Sequence, residues 1–368
     1  MNKNDIEQRS ILNAFTLGDL SRRQALRALG LGGVSALGAA AWPLVGPAAF
    51  ADEAGKQAGP GGIPLARPDR PVKLPLHRDP IKSGLKPESG TFRVFNWQDY
   101  IDKKVMNDFA EKYGVKVEMT TFDSIDEAVT KLATGQVKPD TTNMNPERMA
   151  QMVAGKLLAP LNHDYIPNLK ANIWPQLQSP YYDLEAQYSV PYTLYSTGIG
   201  WRGDKVSEDI HKLDNPWEIF WNARKYSGYV GVLDDSREAL GLAMLRRGKY
   251  DLNTEDPDAI AAALSDLQAL VPICNPKINI TEYQTLGDAS CWLHQSWSGD
   301  LIDCAFNYMA KGTDPNVLQY WSDSVGKAPV RNDTWVLLAQ SEKPVLGHLW
   351  LNHLLDAQVA YDNFVGFT

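Results

Sequence analysis

From Thr91 onward the sequence switches repeatedly between two hydrophobic periods, and this alternation narrows the possible folds more than any other feature. Thr91-Phe92-Arg93-Val94-Phe95 has the pattern of a strand. Lys104 to Tyr113 then sets Val105, Met106, Phe109, Ala110 and Tyr113 at helical spacing, and Gly114 ends the segment. Val115 to Met119 alternates again as a strand. Ser124-Ile125-Asp126-Glu127 has the form of a helix capping box, with Ile125, Val129 and Leu132 on one face and Gly135 as the terminator. Further on, Gly228 to Leu233 reads as a strand, followed by helices over Ser236 to Arg247 and Pro257 to Leu270. Strand-then-helix units repeated in this way predict an α/β fold of two lobes, each a parallel-rich sheet flanked by helices. A composition 44% hydrophobic and 10% aromatic is enough to fill two cores at this length.

The N-terminal part has a different character. Arg22-Arg23 lies in Ser21-Arg22-Arg23-Gln24-Ala25-Leu26-Arg27, and the run from Ala28 to Ala51 is free of charge and ends in the small-x-small site Ala49-Phe50-Ala51. Residues 1–51 therefore read as a twin-arginine export signal cleaved after Ala51, with a periplasmic destination. A membrane anchor is the competing reading, since about 20 apolar residues span a bilayer. Gly30, Gly32, Gly33, Gly38, Pro43, Gly46 and Pro47 make this stretch a poor one. The first cysteine is Cys274, so no lipid-anchoring cysteine follows the cleavage site. Residues 52–90, rich in Pro and Gly without a sustained apolar period, read as an extended leader, with the fold starting near Gly90. Ala357 to Phe364 reads as a helix and Val365 to Thr368 as the start of another segment, so a continuation beyond Thr368 is expected.

A formal net charge of −8 argues against a nucleic-acid partner and suits a cationic ligand if the carboxylates converge. Cys274, Cys291 and Cys304 are an odd number in an oxidising compartment, with a Cys291–Cys304 disulfide expected. No C-x-x-C occurs, and neither a metal nor a cofactor is expected. His348 and His353 stand five apart on a predicted helix, a spacing that does not put them on one face.

In α/β sheets ligands meet the loops after the strands. Asn96-Trp97-Gln98-Asp99-Tyr100 follows the first strand, and Asp234-Asp235-Ser236-Arg237-Glu238 follows the strand ending at Leu233. His294-Gln295-Ser296-Trp297-Ser298-Gly299 and Arg331-Asn332-Asp333-Thr334-Trp335 add two more tryptophans and another acid. Carboxylates accept charge-assisted hydrogen bonds from ammonium groups, while ring faces line methylenes and attract positive charge, so the set suits an organic cation. Each piece also has a structural reading. Asp235 with Glu238 can be a helix cap and its partner in the first turn, and Trp97, Tyr100 and Trp297 can close the core beneath strand ends.

Phe95-Asn96-Trp97-Gln98-Asp99-Tyr100, Tyr188-Ser189-Val190-Pro191-Tyr192 with Thr197-Gly198-Ile199-Gly200, Leu233-Asp234-Asp235-Ser236-Arg237-Glu238, and Trp297-Ser298-Gly299 resemble, in order and spacing, the bacterial spermidine/putrescine-binding proteins of ABC importers. The resemblance implies a two-lobed periplasmic binding protein, a monomer that closes on a linear polyamine and is recognised by membrane permease subunits. It implies lobe boundaries at 91–195 plus 333–368 and at 196–332. It matches Trp97 and Tyr100 to aromatic contacts, Asp235 and Glu238 to ammonium-binding acids, Trp297 to an aromatic wall and Asp333 to a further ammonium acid. Asn145 falls near a serine contact of the family, and Phe367 stands where the family has a tyrosine. Arg331 departs from the pattern, replacing a tryptophan two residues before Asp333. Either it turns away to pair with an acid, or the ligand carries an anionic group beside its amine, as an amino acid or aminophosphonate does. An exported enzyme is the rival from another class. It lacks support: the sequence has no Gly-rich phosphate loop, no Gly-x-Ser-x-Gly elbow and no His-Glu-x-x-His.

Overall fold

The structure, a computed structural model, describes residues 59–98, 100–324 and 326–367, the last without its side chain. The expected export signal, Asp99, the Phe367 ring and Thr368 lie outside the described residues.

Among the described residues ten strands form the framework: β1 (Thr91–Trp97), β2 (Lys116–Phe122), β3 (Thr141–Met144), β4 (Leu158–Ala159), β5 (Ser189–Arg202), β6 (Val230–Leu233), β7 (Lys277–Asn279), β8 (Leu293–Trp297), β9 (Leu318–Trp321) and β10 (Val330–Leu338). Their order is β2-β1-β3-β10-β5-β8-β6-β7, with β4 on β10 and β9 on β5. The outer strands of each half pair in parallel, β1 with β2 and β3, and β6 with β7 and β8. The strands nearest the middle pair antiparallel.

β5 joins the halves. Its residues Ser189 to Ser196 pair with β10, and Thr197 to Trp201 pair with β8. β10 carries the chain back, with a break in register between Asp333 and Thr334. Gly198 stands just past the crossing because a Cβ there would sit 2.2 Å from the Trp321 carbonyl oxygen. Two cores cover the faces of the first half, one around Phe92, Phe109, Trp335 and Trp350, the other around Phe95, Phe122, Met144 and Tyr188. The second half closes over Trp201, Trp217, Phe220 and Leu242.

The helices form where the sequence caps them. Asp102 accepts from the Lys104 amide at the start of Lys103–Tyr113, and Gly114 ends that helix with a left-handed φ of 64°. Ser124 accepts from the Glu127 amide, while the Glu127 carboxylate accepts from the Asp123 amide one residue before the cap.

Residues 59–90 correct the expectation of a leader ahead of the fold. Ile63, Val72 and Leu74 are buried in the first half beside Phe95 and Met144. The Val72 amide donates to the Tyr181 carbonyl, and its carbonyl accepts from the Leu184 amide. Glu88 accepts from the Val345 and Leu346 amides at the start of helix Pro344–Leu354. The prolines prevent any periodic pattern, yet irregularly spaced apolar residues still fill grooves of the core. The expected Cys291–Cys304 disulfide is likewise corrected: Cys274, Cys291 and Cys304 are buried free thiols. His348 and His353 are buried on that same helix and bonded to Pro344 and Val105 carbonyls, so packing accounts for both.

Candidate functional site

The ends of β1, β3, β6 and β8 meet β5 and β10 where the two halves adjoin, and two carboxylate centres form there. The first is Asp333, 4% exposed on β10. The Tyr100 hydroxyl donates to its Oδ2 at 2.7 Å, and the Tyr195 hydroxyl reaches its Oδ1 at 3.4 Å. Thr193 lies 2.8 Å from the Tyr100 hydroxyl. No lysine or arginine among the described residues pairs with Asp333. Burial pushes its carboxyl up to about 6, with the tyrosine hydrogen bonds opposing the shift.

Tyr100 is held from behind. The Tyr192 hydroxyl donates to the Tyr100 carbonyl at 2.7 Å, and Asn363 donates to the Tyr192 hydroxyl while accepting from the Asp102 amide. Helix Ala357–Phe367 thus braces the loop that presents Tyr100.

The second centre is Glu238, 3% exposed in the first turn of helix Ser236–Arg246. Its Oε1 accepts from Thr197 Oγ1 at 3.0 Å and Trp297 Nε1 at 3.1 Å, and pairs with Arg331 Nε at 3.0 Å. Arg331 also reaches Glu147 of the first half through Nη1 at 3.0 Å. The guanidinium is therefore paired with an acid from each half instead of lying unpaired in the cleft. Burial pushes Glu238 up, and the Arg331 charge works against that. Burial opposes the Arg331 charge in turn, but Glu238 and Glu147 outweigh it and hold the guanidinium above its ordinary range.

Trp297 spans the two centres: its ring lies edge-on to Tyr195 at 6.2 Å while its indole N–H holds Glu238. Asp235 accepts from the Arg237 and Glu238 amides through Oδ1, so it caps the helix. Among the described residues the Glu238 carboxylate bonds side chains and not the backbone of the cap, so it is no part of a capping box.

Tyr100, Asp333, Trp297 and Glu238, named from the sequence, thus converge, with Asp235 adjoining Glu238. Trp97 ends β1 and packs edge-on against Phe122 at 4.6 Å; no hydrogen bond or ring contact among the described residues links it to the network. Asn145 sits at the turn after β3, two residues from Glu147, with its Oδ1 buried and unpartnered. The sequence reading named none of Glu147, Thr193, Tyr195 and Thr197 as a site residue, although Thr197 opens one of the quoted motifs. Thr193, Tyr195 and Thr197 alternate along β5, so a period of two marks them as one face. His294 is buried and held neutral, its pKa lowered to about 4 by burial, and its ring lies over Gly231, where a Cβ would clash at 1.8 Å. A cavity of about 460 Å³ opens beside Glu147, Tyr195 and Arg331 and is also lined by Arg67, Arg237 and Lys327.

Two half-sheets sharing a strand, with acids and rings gathered where they adjoin, define a two-lobed ligand-binding protein. The chain belongs to the family described as bacterial extracellular solute-binding protein, whose profile matches residues 104–366. The spermidine/putrescine-binding periplasmic protein of Escherichia coli strain K12 is 28% identical over 191 residues, covering 50% of this chain and 52% of that protein. The chain thus spans about half the length of that relative. The putrescine/agmatine-binding protein of Pseudomonas aeruginosa is 25% identical over 286 residues, covering 74% of this chain and 76% of the relative. Among solved structures, a putative spermidine/putrescine ABC transporter from Listeria monocytogenes superposes with a TM-score of 0.64 at 23% identity, over 75% of this chain and 82% of that one. The spermidine/putrescine ABC transporter substrate-binding protein of Streptococcus pneumoniae gives 0.60 at 23%, over 76% and 81%. These structures share the two-lobed fold.

Proposed function

We propose that this chain is the extracytoplasmic binding component of an ABC importer and that its lobes close on a linear polyamine such as putrescine or spermidine. The carrying observation is Asp333, a buried carboxylate bonded to two tyrosine hydroxyls and paired with no lysine or arginine among the described residues. An ammonium group supplies the missing charge. Glu238 and Asp235 from one half, Tyr100 from the other and the Trp297 ring complete the contacts, with Trp97 a further aromatic contact, Asn145 near a serine contact and Phe367 at a tyrosine position by the family resemblance. Each open half offers only some of these groups, so ligand shifts the population toward the form that offers all of them. The names of the relatives support this reading. Delivery to membrane permease subunits as a monomer, and export through the twin-arginine route with cleavage after Ala51, belong to the same proposal.

A second reading rests on Arg331. A guanidinium already neutralises Glu238, and Arg237, Lys327 and Arg67 line the adjoining cavity. A zwitterion, with its amine on Asp333 and an anionic group toward Arg331, also fits that arrangement. Calorimetry with putrescine, spermidine and γ-aminobutyrate decides. Polyamine binding is expected, weakened by about 1.5–3 kcal/mol in Asp333→Asn, the scale of a charged hydrogen bond. Heat from the amino acid alone rejects the polyamine in favour of the zwitterion.

A further inference from the structure

Residues 63–72 form a finger rooted in one half of the molecule and resting on the other. Ile63 and Val72 bury its two ends in the first-half core. Between them Arg67 and Arg70 exchange two backbone hydrogen bonds, 3.1 and 2.9 Å, around the turn Pro68-Asp69. This turn presents both guanidinium groups to the loop between helices Ser236–Arg246 and Pro257–Cys274. Arg67 donates to Asp251 Oδ2 at 2.9 Å and to the Asn253 carbonyl, and Arg70 pairs with Glu255. That loop belongs to the second half, since Leu252 packs against its core. Asn253 is also bonded by Arg237, the neighbour of Glu238. The finger therefore touches the helix that carries the second carboxylate centre through a single intervening loop.

The contact borders the cavity that adjoins the site. Arg67, Pro68 and Asp69 line the same cavity as Glu147, Tyr195 and Arg331, as do Asp251, Leu252 and Asn253 of the loop they contact. The charges are complementary, with two arginines facing a loop that carries Asp251, Glu255 and Asp256. The finger precedes residue 104, where the family profile begins to match.

We propose that residues 63–72 are a clasp that walls the cavity beside Glu147, Tyr195 and Arg331 and holds the two halves together through Arg67 and Arg70. Ligand exchange then requires release of the loop 251–255. Only the ligand-exchange part rests on the reading of the cleft as an amine site. Because the guanidinium contacts are partly solvent-exposed, salt weakens them, whereas the anchors Ile63 and Val72 are apolar and insensitive to it.

The test uses the full chain, wild type and Arg67→Ala/Arg70→Ala, with two readouts. Small-angle scattering without ligand gives the radius of gyration, and stopped-flow tryptophan fluorescence gives the putrescine dissociation rate. The double variant is expected to have a larger radius and to release putrescine about tenfold faster, which corresponds to ~1.4 kcal/mol. The swap Arg67→Glu/Arg70→Glu with Asp251→Arg/Glu255→Arg is expected to restore both values. Raising the salt concentration on the wild-type protein should reproduce the expansion without any substitution, so a variant that fails to fold does not block the test. An unchanged radius in the double variant and across the salt series overturns the clasp. A wild-type protein that ignores putrescine but expands on loss of the arginines removes the amine reading and leaves the clasp standing.

Discussion

At the scale of single residues, the chemistry of the site depends on how burial treats its acids. Asp333 is raised to about 6 because desolvation penalises its charge, so it takes up a proton just below neutral pH. The folded carboxyl titrates above the ordinary 3.8, so ligand-free stability falls as pH rises from about 4 to 6. Binding runs the other way, because an ammonium ligand needs the carboxylate and competes with the proton. The putrescine dissociation constant is therefore expected to be flat above pH 7 and to rise about tenfold per unit below pH 6. A profile flat down to pH 5, measured by calorimetry, would remove Asp333 from the contact set. Glu238 and Trp297 were legible in the sequence because acids and rings cluster where strands end, whereas Asp333 lies within β10 and was singled out through the family resemblance. Glu147 was not, since a lone acid after a short strand has no pattern and acquires its role only by meeting Arg331 across the fold.

At the scale of elements, local rules account for most of the helices. Asp235 shows how a cap and a binding residue compete for one side chain: its Oδ1 already accepts from two amides. Asp235→Ala is expected to destabilise the protein by about 1 kcal/mol and Asp235→Asn by much less, the usual difference between losing and keeping a cap. Thermal melting checks this. If the alanine variant melts like wild type but binds putrescine weakly, the side chain serves the ligand and not the helix. Local rules fail where packing overrides them. The sequence ends one helix near Leu270, ahead of Pro272, yet it runs on to Cys274 because Leu270 and Cys274 are buried in the second-half core. Residues 59–90 show the opposite case, a segment without period that is nevertheless held by a few buried side chains.

At the scale of the whole molecule, Arg331 and the finger join the two halves. Arg331 stands on β10 and pairs with Glu147 of the first half and Glu238 of the second. Arg331→Met leaves Glu238 buried without its cation, a loss expected to cost about 3 kcal/mol. The companion change Glu238→Gln should recover much of that stability. If a polyamine is the ligand, putrescine should raise the melting temperature of Arg331→Met more than that of wild type, because an ammonium group then takes the vacated place beside Glu238. A smaller rise would show that the guanidinium helps to hold the ligand. The alternating periods, the caps and the acid-and-ring loops were settled by the sequence alone, since each depends on neighbours a few residues apart. The pairing of Arg331 with an acid from each half, the free cysteines, the clasp and the gathering of Asp333 with Tyr100 were decided only by tertiary structure. They join residues far apart in sequence, and no local period or propensity records which distant charges a folded chain will bring within bonding distance.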